Sequence, residues 1–166
     1  LRPAVAESYR RQAELMQTLG REAEALQKLV DARDVWAAMA QEPVGPPPWR
    51  ELAMAEARLA DLALGSNRCE LATPAYAEAE RHFTQVVELE PSRRAQRDLA
   101  AIRLKRAEGD AECGDEASAL VGLRSSVEAM GWREPEAIAD AELLDLLGLA
   151  CERLGDLART GSTSAE

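Results

Sequence analysis

Four glycines, Gly20, Gly65, Gly109 and Gly155, fall 45, 44 and 46 residues apart along the chain. Each closes a segment of helical length that carries an apolar stripe. Three of them follow a leucine: Leu19, Leu64 and Leu154. Evenly spaced helix stops are the mark of stacked hairpins, each too thin to bury its apolar face alone. Glycine suits such a stop because the chain turns sharply there, often through positive φ.

Proline and glycine cut the chain into seven such segments. The first, Ala4 to Leu19, places Val5, Tyr9, Ala13, Met16 and Leu19 at steps of three and four, the spacing of one helix face. The second, Glu22 to Ala40, carries Leu26, Leu29, Val30, Trp36 and Met39. Pro43, Pro46, Pro47 and Pro48 then impose an extended, semi-rigid path. That run reads as a linker; a ligand for an aromatic-lined groove is the other reading. The third helix opens at Pro48 and runs to Leu64, with Trp49, Leu52, Leu59 and Leu62 inward. Thr73-Pro74 reads as the start of the fourth, which carries Tyr76, Ala79, Phe83, Val86 and Val87 and ends at Pro91. Ser92 caps the fifth, with Ala95, Leu99 and Ile102 inward; Gly109 to Asp115 reads as a break. The sixth uses Leu120, Leu123, Val127 and Met130 and stops at Gly131. The seventh starts at Pro135, carries Ile138, Leu143, Leu147 and Ala150, and ends at Gly155.

Apolar residues make up 46% of the chain but aromatics only 4%, so the core must be built largely from Ala and Leu, both strong helix formers. No alternating apolar run suggests a strand. The fold class expected is all-α: antiparallel helical hairpins stacked as a short α-solenoid of about seven helices. Residues 1–159 read as one repeat domain and 160–166 as a polar, frayed tail.

Two segments resemble tetratricopeptide repeats. Leu146-Leu-Gly-Leu-Ala-Cys-Glu-Arg-Leu-Gly-Asp156 is similar to a first repeat helix running into its turn, with Gly148 at the small, close-contact position. Tyr76-Ala-Glu-Ala-Glu-Arg-His-Phe-Thr-Gln-Val-Val-Glu-Leu-Glu-Pro91 is similar to a second repeat helix, with Ala79 and Phe83 inward and Pro91 closing the unit. Residues Met16 to Leu29 and Gly114 to Leu120 match more weakly. The period of about 45 is longer than the family's usual one. The resemblance implies a scaffold whose concave face, lined by first helices, holds a peptide or partner helix. It thus implies a non-catalytic interaction scaffold or adaptor, part of a longer protein. The alternative is a ligand- or peptide-sensing regulatory segment of a larger bacterial-type regulator.

The net charge of −10 repels phosphate backbones, which argues against nucleic acid and anionic membranes as partners. No stretch of 18 apolar residues is present to span a bilayer. Cys69, Cys113 and Cys151 are odd in number and far apart, without metal-ligand spacing; free thiols in a reducing, cytoplasmic compartment are expected.

Catalytic material is sparse. His82, the only histidine, reads as solvated or half-packed. An imidazole-based metal site would need Cys and carboxylates brought to it by the fold. Asp110, Glu112, Asp115 and Glu116 miss the calcium-loop pattern and read as a solvated turn that caps the sixth helix. No catalytic, cofactor-binding or metal-binding residue is assigned. The partner-binding candidates are cationic and aromatic. Arg93, Arg94, Arg97 and Lys105 share one side of the fifth helix, away from its apolar stripe. They read first as a solvated, ion-paired face and second as a dock for an acidic segment, favoured by guanidinium geometry. Trp36, Trp49 and Trp132 read first as core and second as interface anchors.

Overall fold

A computed structural model of the chain describes residues 1–42, 46–129 and 141–163. Among these the protein is all-α, with seven helices and no strand. The chain divides into two compact units, Leu1–Leu89 and Glu90–Glu166, where the sequence reading takes 1–159 as one domain.

The first unit holds α1 (Arg2–Thr18), α2 (Glu22–Ala40), α3 (Trp49–Gly65) and α4 (Cys69–Leu89). Two hairpins, α1–α2 and α3–α4, join through the packing of α2 on α3. The second unit holds α5 (Arg93–Glu112), α6 (Glu116–Ala129) and α7 (Ala141–Thr163). Here α5 and α6 form the hairpin, and α7 packs against both.

The three tight hairpins share one turn. Gly20, Asn67 and Gly114 have φ of 70°, 54° and 85°, and they stand 47 residues apart in each case. Around each, two backbone bonds close the helix end. Gly20 N–H donates to the Gln17 carbonyl at 3.0 Å and Arg21 N–H to Met16 at 2.9 Å. Asn67 donates to Leu64 and Arg68 to Ala63, both at 2.8 Å; Gly114 donates to Ala111 at 3.0 Å and Asp115 to Asp110 at 2.8 Å. This is the Schellman pattern, which satisfies carbonyls that a helix end leaves orphaned. The true period is therefore 47, carried by left-handed residues rather than by glycine as such.

Several expected boundaries move accordingly. Gly109 is buried inside α5, and α7 runs helically through Gly155 and on to Thr163, into the segment read as a tail. Helix α4 begins at Cys69, not at Thr73, because the Schellman bond of Arg68 leads directly into its first turn; Pro74 lies within it, exposed. Met130, Gly131, Trp132, Pro135 and Ile138, and the linker residues Pro43 to Gly45, lie outside the described residues.

Alanine dominates the buried set. In the first unit Ala6, Ala13, Ala25, Ala53, Ala60, Ala63 and Ala79 are all fully inaccessible, with Leu26, Leu29, Leu52, Leu59, Tyr76 and Phe83 between them. The expected stripe of α1 holds at its middle, where Ala13 is buried and Tyr9 and Met16 are half-buried; Ala6 is buried as well, whereas Val5 and Leu19 are exposed. In the second unit Ala100, Leu104, Ala107, Leu123 and Ala150 form the core, lined by Val127, Leu146, Leu147, Leu154 and Leu157. The close approach there is made by Gly122, whose missing Cβ would lie 3.2 Å from that of Ala107. Gly148 faces open space, so the small-residue role expected of it is not met.

Two classes of glycine should therefore respond oppositely to Ala. Gly20→Ala and Gly114→Ala should each destabilise by about 1 kcal/mol, since a Cβ strains the left-handed region. Gly148→Ala and Gly155→Ala, in helix α7 with no neighbour near the new methyl, should each stabilise by up to about 1 kcal/mol. Urea unfolding of the four variants reads both signs.

Candidate functional site

Helices α3 and α4 bring together the most concentrated polar chemistry of the first unit. Glu56 lies on the face of α3 that packs on α4, flanked by Leu52, Ala53, Ala55, Leu59 and Ala60 in the buried set. His82 occupies the facing stripe of α4, between Ala79 and Phe83. Both are buried, at 6% and 3% exposure. The Glu56 carboxylate Oε2 and His82 Nδ1 are 2.7 Å apart. On the other side of the ring, Arg81 Nη2 lies 2.7 Å from His82 Nε2. A guanidinium can only donate, so Nε2 accepts and Nδ1 carries the proton that it donates to Glu56. Trp49, at the start of α3, stacks on the imidazole with ring centroids 5.3 Å apart and planes at 15°.

Glu78 completes the cluster from one turn back on α4. Arg81 Nε donates to Glu78 Oε2 at 3.0 Å, and Arg81 Nη2 also donates to that oxygen. This contact holds the Glu78 carboxyl below the ordinary glutamate range and raises the Arg81 guanidinium above its own. One ligating atom from each of Glu56, Glu78 and His82 can be chosen so that all lie within 4.8 Å of one another. Glu56 and Glu78 also line a groove of about 380 Å³ between α2 and α4, whose apolar wall includes Leu26, Val30, Leu59 and Leu71.

His82 is thus neither solvated nor half-packed, as its position in the sequence suggests. It is a buried, fully hydrogen-bonded base. The signal available was the Glu78-x-x-x-His82 spacing, which stacks two ligating side chains on one helix face. Glu56 carried no such signal, because only the docking of α3 on α4 delivers it.

A second feature lies where α1, α2 and α3 meet. Hollows of about 260 and 450 Å³ share Arg10, Leu29 and Arg58 in their walls. Trp36 and Met54 line the first, and Gln17 and Asp61 the second. Arg10 is clamped between Glu7 and Glu14, which raises its pKa and lowers that of Glu7. Arg58 closes on no carboxylate among the described residues; Glu7 feels its charge only through space.

The residues read from sequence as partner-binding are dispersed. Arg93 and Arg94 are exposed at the start of α5, as is Lys105 farther along it, whereas Arg97 is half-buried and ion-pairs with Glu142 of α7. Trp49 is half-buried in the Glu56–His82 cluster, and Trp132 lies outside the described residues. Trp36 is half-buried in the α1–α3 hollow. In the acidic segment, Asp115 does cap α6, accepting from Ser118 N–H at 3.0 Å, which lowers its pKa. Asp110 departs from the solvated reading: it is buried at 5% exposure and faces Arg106 at 3.8 Å.

The cysteines also depart from expectation. Cys69 and Cys113 are disulfide-bonded, and Cys151 is a free, exposed thiol. In denaturant without reductant, a colorimetric thiol assay should count one thiol per chain, rising to three after reduction. For the buried pair, His82→Ala should destabilise by about 3 kcal/mol, because it leaves the Glu56 carboxylate buried without a partner. Replacing both groups by apolar residues, as in Glu56→Leu/His82→Phe, should recover most of that loss in urea unfolding. No protein-family model matches this chain, and no curated protein matches it.

Proposed function

We propose that the chain is a non-catalytic interaction scaffold of the tetratricopeptide-like kind, holding a peptide or partner segment against the first helices of its hairpins. The observation that supports this is the trough walled by α1 and α3. These are the first helices of two consecutive hairpins, the elements such scaffolds use for binding. The trough is wide enough for a side chain or two and apolar at Leu29, Trp36 and Met54; Glu7, Glu14, Glu22, Glu51 and Asp61 line it together with Arg10 and Arg58, and of the two arginines Arg58 is the one with no carboxylate at contact. An uncommitted guanidinium beside a half-buried tryptophan suits a segment that presents a carboxylate next to an apolar side chain. The acidic partner anticipated from α5 thus has a better-formed seat on the first unit, with exposed Arg93 and Arg94 as the rival seat.

No helix among the described residues is long and apolar enough to cross a membrane. The oxidised state of Cys69 and Cys113 lends the reducing, cytoplasmic compartment no support, and the thiol count above tests that oxidised state.

A displayed peptide library selected on the intact chain tests the reading. Enriched peptides should carry an acidic residue within a few positions of a large apolar one. Arg58→Glu should weaken their binding by about tenfold or more, the scale of one charge-assisted contact. Binding that survives Arg58→Glu but falls in Arg93→Glu/Arg94→Glu moves the seat to α5. Failure to enrich any peptide, together with a thermal shift on a small-molecule panel, favours the sensing-segment reading.

A further inference from the structure

We propose that Glu56, Glu78 and His82 form a site for a divalent transition-metal ion of the zinc class, and that the Arg81 guanidinium is the internal cation with which that ion exchanges. The case rests on how the ligands converge. Glu78 and His82 are four residues apart on α4 and so share a face. Glu56 arrives from α3, already 2.7 Å from the ring. One imidazole with two carboxylates and room for water is a borderline donor set, which suits Zn²⁺ better than the all-oxygen preference of Mg²⁺ or Ca²⁺.

Three further observations favour an ion. The cluster has already gathered positive charge: one Arg81 nitrogen donates to both Glu78 Oε2 and His82 Nε2. A single cationic atom thus bridges two of the three ligands. Second, Glu56 commits Oε2 to His82, while Oε1 takes no protein hydrogen bond among the described residues and is left open to solvent, free to bind an ion. Third, Glu56 and Glu78 line the α2–α4 groove, which supplies an approach route for an ion and its waters.

Ligand separations of up to 4.8 Å must shrink for a tetrahedral ion with bonds of about 2.0–2.2 Å. Glu78 can make that movement, since its side chain is half-exposed, at 51%. Arg81 can leave, because its side chain is 53% exposed. Leave it must, whichever ring nitrogen takes the metal. At Nε2 the guanidinium occupies the lone pair the ion needs, and Glu56 then orients the ring from Nδ1 instead of binding the ion, which leaves Glu78 and His82 as its protein ligands. At Nδ1 the ion replaces the proton shared with Glu56, that proton moves to Nε2, and two donors would face each other unless Arg81 withdraws. The imidazole is already neutral in the arginine-bound state, so neither route requires a proton to be lost from the ring.

The sole histidine makes the test direct. The full chain carrying Cys151→Ser, which removes the one free exposed thiol, is titrated with Zn²⁺ while the imidazole C–H resonances are followed by NMR. The expected result is a saturable shift of the single imidazole signal set with one equivalent of Zn²⁺. Glu78→Gln should weaken binding by about tenfold, and Arg81→Ala should tighten it by about tenfold, each the scale of one charge contact near a surface. Both substitutions lie on exposed side chains, so the fold is kept. Zinc that binds without moving the imidazole signals overturns the site. So does the absence of binding up to the solubility limit of the ion, or affinity unchanged in Glu78→Gln. Binding that Arg81→Ala leaves no tighter overturns the exchange with the guanidinium.

Discussion

The left-handed residue between paired helices is the constraint on which the rest depends. A chain that must turn back on itself within two or three residues has few ways to satisfy the last carbonyls of one helix and begin the next. At Gly20, Asn67 and Gly114 it uses the same pair of bonds each time. The turn is so short that the second helix has to return along the first. Antiparallel pairing, and the facing of one stripe by another, follow from that. The middle turn also fixes how α3 and α4 meet, and through them which side chains of α3 reach His82.

The two polar features of the first unit differ in kind. The α1–α3 trough is an open surface on which one arginine is balanced only at a distance. The Glu56–His82 pair is embedded between helices, and its charges are met at contact. Burying a carboxylate against an imidazole is seldom the most stable solution available, since apolar residues of like size commonly do as well. Such a pair in the middle of an alanine-rich interface therefore asks for an explanation beyond stability. Its continuity with the groove, and its bridging by an exposed arginine, supply one.

Much of the architecture was legible in the sequence. Apolar stripes at helical spacing placed α2, α3, α4 and α5 with their inward residues, and Ser92 marked the start of α5 through a cap that is made, Ala95 N–H to Ser92 Oγ at 3.2 Å. The errors have a common origin. The evenly spaced glycines were read as stops, but Gly109 and Gly155 are continued through because good helix formers surround them and no left-handed turn is required. Asn67 was passed over because asparagine enters the left-handed region less often than glycine, although its short polar side chain tolerates it. The candidate site was half legible. Glu78 and His82 are local to one helix and could be seen together; Glu56, 26 residues from His82, could not. Arg58 gave no signal at all, because what distinguishes it is the lack of a nearby carboxylate, a property of three dimensions.

The alanine floor of the first unit carries a consequence for how this protein can vary. A core of leucines and aromatics is injured chiefly by loss, since each truncation opens a void. Here the fully inaccessible positions are mostly methyl groups with little left to remove. The vulnerable direction is enlargement: a single added methylene at Ala53, Ala60 or Ala79 pushes two helix backbones apart along their whole contact. Mutational drift in such a core is therefore directional. It is confined to residues no bigger than alanine where helices touch, while the outward faces and the left-handed turns between them set how far the surface can diverge.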